Sequence, residues 1–243
     1  AHTLLLADGR RFVARLLVGA DGAHSWLRRQ AGIDVDVEDY GQSGVVANFE
    51  TERPHRGIAF QWFRRDGVLA WLPLPGRRIS IVWSSRNADV PGLLALPAEI
   101  FARRVAEAGS HSLGQLRLIT PQAAFPLKCR RAHTWVRPGL VLVGDAAHTV
   151  HPLAGQGVNL GFRDGRLLAE MLASGGNPGE IGRLRAYALR RVEDVTSMQF
   201  ATGALKRLFN NQATGLGWLR NTGLTLTDRQ EWIKQALIGH AVQ

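Results

Sequence analysis

Apolar positions in the first third of the chain fall into short runs separated by turn residues, the spacing of strands rather than of helices. Residues 3–6 (TLLL) and 11–18 (RFVARLLV) flank Asp8-Gly9, and Asp-Gly between two apolar runs predicts a hairpin. The second run ends in Gly19-Ala20-Asp21-Gly22-Ala23-His24-Ser25, after which 26–30 reads as a short helix. Residues 44–50, 57–63, 67–74 and 78–84 are rich in β-branched and aromatic side chains and predict a mostly antiparallel sheet. The period changes over 97–108, a predicted helix with Pro97 at its start and Gly109 after its end. Short strands are expected at 115–120, 123–127 and 139–143. Apolar residues then recur at three- and four-residue spacing over 157–174, 181–209 and 228–240, predicting helices. The fold class is therefore mixed α/β (α+β). A partial Rossmann-like domain (1–43 and 128–180) carries an inserted antiparallel sheet (44–127) and ends in C-terminal helices (181–243).

Composition narrows the functional classes. With 243 residues, 45% hydrophobic and 21% charged, the chain can bury a sizeable core. No apolar run approaches the roughly 20 residues of a membrane span. The opening AHTLLLADGRRF has no signal-peptide layout. It lacks an initiator Met and starts inside a pattern, so a piece of a longer protein is expected. Cys129 is the single cysteine, which excludes an internal disulfide and fits a cytoplasmic compartment. The net charge is +10, and the only lysines are Lys128, Lys206 and Lys234. The arginines are scattered in pairs, and no nucleic-acid-binding motif accompanies them, so no nucleic-acid partner is expected. A solvated arginine-rich surface, or one that meets an anionic membrane or partner, remains.

The candidate chemistry lies in 140–161, LVLVGDAAHTVHPLAGQGVNLG. A strand ending in Gly144-Asp145 sets a carboxylate at the carboxyl edge of a sheet, where open α/β folds bind ligands. Glycines let backbone N–H groups approach a ligand closely. The helix from about 157 points its positive end at the same place. One fixed acceptor, several donors and a helix dipole suit a polyol carrying anionic parts, such as a ribityl-pyrophosphate with a flavin ring. His148 and His151 are three apart across the Pro152 turn rather than on a helix, so no metal site is implied. Either could act in acid–base chemistry or simply hold the loop by hydrogen bonds. No catalytic residue is identifiable.

These residues resemble a known family. The 140–161 stretch is similar to the second flavin fingerprint of class A flavoprotein aromatic hydroxylases, and Gly19–Ser25 followed by Arg28 resembles their Asp-Gly fingerprint. Phe63, Asp66–Leu74, Ala124–Leu127, Leu205–Phe209 and Trp232–Lys234 look like the ubiquinone-biosynthesis hydroxylases within that superfamily. The resemblance implies FAD as cofactor and NAD(P)H as co-substrate, with an aromatic polyprenylated phenol hydroxylated at the expense of O2. It assigns Asp145 to the ribityl or ribose hydroxyls and Pro152 to the isoalloxazine. It places Gly144, Gly155, Gln156 and Gly157 around the flavin and gives Asn159 the support of that loop. Asp21 is expected to order its own turn and the neighbouring Arg28. The sheet face carrying Phe60, Trp62, Leu69, Trp71 and Ile81 is the expected wall of the substrate pocket. Partner expectations are a homo-oligomer or a ubiquinone-biosynthesis complex, with peripheral contact at the inner membrane.

The chain departs from the family in two respects: no GxGxxG turn and no acidic ribose partner precede the Asp-Gly fingerprint, and part of the substrate region expected between the two halves of the flavin domain is missing. Strands 11–19 and 139–143 would then lack a sheet neighbour. A truncated enzyme, an open edge completed by another chain, and a non-catalytic binding or assembly module are the three readings this leaves.

Overall fold

The computed structural model describes residues 2–64, 67–150 and 157–210, with side chains to Gln199. In chain order the elements are β1 (His2–Leu5), β2 (Arg11–Ala14), β3 (Leu17–Gly19), α1 (Trp26–Gln30), β4 (Val35–Thr51), β5 (Phe60–Arg64), β6 (Gly67–Leu74) and β7 (Arg78–Arg86). They continue with α2 (Val90–Leu94), α3 (Ala98–Ala108), β8 (Leu116–Leu118), β9 (Ala123–Ala132), β10 (Val136–Arg137), β11 (Leu140–Leu142), a 3-10 turn (Gly144–Ala146), β12 (His148–Thr149), α4 (Gly157–Ala173) and α5 (Ile181–Asn210). They form two compact units: one from residues up to Glu38 and from Lys128 onward, the other Asp39–Leu127. The mixed α/β class is as expected.

The first unit begins with the β1–β2 hairpin, whose antiparallel register (Leu5↔Arg11) closes around Asp8-Gly9. The single strand expected over 11–18 is two strands. Arg15 and Leu16 break it, because Leu17 N–H turns to bond Gly139 O at 2.8 Å. Strand β3 then runs parallel to β11, Leu17 opposite Leu140, and β11 carries β10 on its other side. Leu140, Val141 and Leu142 are all buried, as in a covered parallel sheet. Leu160, Leu168, Leu184, Tyr187 and Val195 from α4 and α5 complete this core with Trp135.

The second unit is an antiparallel sheet of order β9-β4-β7-β6-β5, with β8 also on β4. Alternation decides its faces. Val45, Ala47, Phe49, Leu69, Trp71, Ile79, Ile81 and Trp83 point one way and are buried with Phe101 and Val105 of α3. The other face carries Val46, Ala70 and Val82, which sit opposite one another in register and are only half-buried. Strand β4 starts nine residues before the expected 44 and β9 ends five after the expected 127, while α2 and β10 were not anticipated. The helix expected over 228–240 lies outside the described residues.

Candidate functional site

Two glycine turns meet at the carboxyl ends of β3 and β11. In the first, Asp21 Oδ2 accepts the Leu27 N–H at 3.0 Å and Ser25 Oγ accepts the Arg28 N–H at 2.9 Å, so both cap α1. Burial would raise the Asp21 carboxyl, but hydrogen bonds from Ser25 and the Leu27 and Trp26 amides outweigh it and hold the carboxyl below its usual range. Arg28, seated on α1 by these caps, is buried and donates to Ala146 O at 2.7 Å and Ala23 O at 2.9 Å. Its guanidinium thus ties the first turn to the second.

The second turn leaves β11 through Val143, whose N–H bonds Gly19 O at 2.9 Å. Gly144 follows at φ +57°, a left-handed conformation that favours glycine. Its Cα faces Gly161 of α4 so closely that a Cβ added at Gly161 would lie 3.4 Å from it. Asp145 is exposed. A cavity of about 540 Å³ opens here. Ala20 and Gly22 of the first turn, Gly144 and Asp145 of the second, and Gly157, Val158 and Gly161 of α4 line it. A Cβ at Gly157 would meet nothing closer than Val150 at 3.9 Å, so backbone is open to the space.

The cavity brings together three of the expected residues: Gly144, Asp145 and Gly157. Asn159 lies on the first turn of α4, half-buried and not part of the cavity lining among the described residues. Pro152, Gly155 and Gln156 lie outside the described residues, as does His151. The residues of the expected substrate wall lie on the side of the sheet that α3 covers. Leu69, Trp71 and Ile81 are fully buried against α3, and Phe60 and Trp62 pack on that same core, Trp62 edge-on to Trp71 at 4.7 Å between ring centroids. Even alternation leaves two candidate faces, and the larger aromatics occupy the one that α3 covers. No group of three or more His, Cys, Asp or Glu side chains able to hold a metal occurs among the described residues.

Sequence reasoning missed Asp164. It is fully buried on α4, where Oδ2 accepts Gly144 N–H at 2.7 Å and His148 Nε2 at 2.8 Å, and Oδ1 accepts Arg191 Nε at 2.6 Å. Burial alone would raise its carboxyl, yet the His148, Gly144 and Arg191 contacts prevail and lower it. His148 is buried with it, hydrogen-bonded to Asp164 and stacked on Trp135 at 4.8 Å. Burial also raises the Tyr187 hydroxyl, with Asp164's charge adding to it. The signal was available: Leu160, Asp164 and Leu168 share the apolar stripe of α4, and an acid on such a stripe needs a partner.

Residues 3–199 match the model of a family described as an FAD binding domain. The chain is 42% identical over 241 residues to the ubiquinone hydroxylase UbiL of Rhodospirillum rubrum, covering 98% of this chain and 56% of that protein. It is 38% identical over 245 residues to the 3-demethoxyubiquinol 3-hydroxylase of Escherichia coli, covering 98% of this chain and 62% of that one. It thus spans less than two thirds of the length of either relative. Among solved structures, the Diels-Alderase PyrE3 of pyrroindomycin biosynthesis superposes with a TM-score of 0.75 at 21% identity, covering 98% of this chain and 52% of that one; at this identity the likeness is one of fold.

Proposed function

Because this chain belongs to the family of FAD binding domains, we propose that it forms part of an FAD-dependent monooxygenase that hydroxylates the aromatic ring of a polyprenyl-phenol in ubiquinone biosynthesis. The observation that carries this reading is the cavity where Asp145, the Gly144 turn and the first turn of α4 converge. Asp145 offers an exposed carboxylate as acceptor for sugar or ribityl hydroxyls. Gly144 and Gly157 admit backbone close to the ligand, and α4 directs its positive end there. When bound, the flavin supplies the redox chemistry that passes one oxygen atom of O2 to an electron-rich ring, with electrons from NAD(P)H. The names of the two relatives support a ubiquinone-type substrate. The half-buried sheet face of Val46, Ala70 and Val82, opposite the one α3 covers, is a second candidate for contact with a prenylated ring.

Fluorescence titration of the chain with FAD, beside an Asp145→Ala variant, tests the reading. Saturable binding is expected, weakened at least about tenfold by the substitution, the value of one hydrogen bond to a charged group. Absence of binding, or equal binding by both proteins, would reject this assignment of Asp145.

A second reading, a binding or assembly role at an anionic membrane or partner surface, is supported by a trough of about 760 Å³ between α5 and residues 131–138. Its floor includes Trp135, Val136 and Ala188, and Arg131, Arg137 and Arg185 stand around it. No described helix is long and apolar enough to cross a membrane. Oligomer formation or entry into a biosynthetic complex would also use such surfaces.

A further inference from the structure

We propose that Asp164 is the positioning residue of the flavin-binding turn: through the Gly144 amide it fixes the backbone that presents Asp145. The inference rests on the flavin reading above for its functional consequence, and on geometry alone for the positioning itself.

Val143 N–H still pairs with backbone, at Gly19 O, but the next donor, Gly144 N–H, is accepted by the Asp164 Oδ2 atom, 2.7 Å away. The contact is possible because Gly144 and Gly161 pack Cα to Cα, which brings α4 close enough for the residue one turn later to reach the amide. Asp164 is itself immobilised. Arg191 grips Oδ1 from α5, and Arg191 in turn reaches Asp194 at 2.5 Å, with Arg163 3.5 Å from Asp194. Two guanidiniums, Arg163 and Arg191, face two carboxylates, Asp164 and Asp194. An ionised carboxylate only accepts, so His148 Nε2 donates to the same oxygen as the Gly144 amide. The α4–α5 pair therefore sets the turn, and the turn sets Asp145.

Removing Asp164 alone would leave Arg191 with Asp194 but its buried Nε without an acceptor, which threatens folding. The informative comparison is between two neutral double variants, Asp164→Ala/Arg191→Met and Asp164→Asn/Arg191→Met. Both delete the ion pair; only the second keeps an acceptor for Gly144 N–H. Two measurements apply to the whole chain. Amide hydrogen exchange without ligand reads Gly144 directly: it is expected to be protected in the wild type and the Asn variant and exposed in the Ala variant. FAD titration is expected to give a dissociation constant about tenfold higher for the Ala than for the Asn variant, the effect of leaving one buried donor unmade. Equal Gly144 exchange in the two variants overturns the positioning role. Differing exchange with equal FAD affinity confines Asp164 to the fold and overturns its part in the site. A wild type with a protected Gly144 amide that binds no FAD rejects the flavin reading while leaving the positioning in place.

Discussion

Asp145 and Asp164 are both acids of the same glycine-rich region, yet one is exposed and the other fully buried. Their environments differ accordingly: the exposed carboxylate lines the cavity, and the buried one accepts the Gly144 N–H. Asp164 has its carboxyl lowered below the ordinary value of 3.8. A lowered folded-state pKa adds stability that is present above the unfolded value and is lost as pH falls through the folded one. Urea denaturation from about pH 6 to about pH 2 is therefore expected to show a steeper acid loss in the wild type than in Asp164→Asn/Arg191→Met. Identical slopes would mean the buried carboxylate is not ionised. Asp145 was legible in the sequence because a strand end followed by Gly-Asp is a local signal. Asp164 was legible only as an acid on the apolar stripe of α4; its partners His148 and Arg191 lie 16 and 27 residues away, and no local pattern joins them to it.

At the level of elements, the β6–β7 pair depends on a glycine. Gly67 opens β6 at φ +141°, and a Cβ there would lie 1.6 Å from Ser84 O. Val68 N–H next to it bonds Ser84 Oγ at 2.8 Å. Gly67→Ala is expected to destabilise the chain by about 3 kcal/mol or more, since backbone strain and a clash with main chain add. Chemical denaturation followed by the emission of Trp71 and Trp83, buried on the same sheet, would show it; a loss below about 1 kcal/mol would contradict this packing. Strand β6 was read correctly at both ends, as was the start of the α4 helix, because turn residues mark them. The split of 11–18 into β2 and β3 was not legible. An unbroken apolar run carries no mark of the place where one strand stops pairing in a hairpin and the next joins a parallel sheet. Which face of the central sheet is core was not legible for a related reason: alternation defines two faces, and only α3 shows which one it covers.

Over the whole molecule, arginine dominates the charge of +10. Arg131, Arg137 and Arg185 concentrate part of it at the trough beside α5. Flotation with vesicles of anionic phospholipid is expected to recover the chain at low salt, to fail with zwitterionic vesicles, and to weaken as salt shortens the screening length. Arg137→Glu/Arg185→Glu should reduce recovery several-fold; unchanged recovery would move the contact elsewhere. The parallel pairing of β3 with β11 has a consequence of another kind. Leu17 meets Leu140 only after the whole of Asp39–Leu127 has been made. A ribosome therefore releases the inserted sheet, with its own core, before the strand that closes the first unit exists. Until then β3 has no partner in β11, and its formation waits on a contact of long sequence separation, the kind that slows folding. Closure of the first unit is thus set to be the late step of folding, after the inserted sheet.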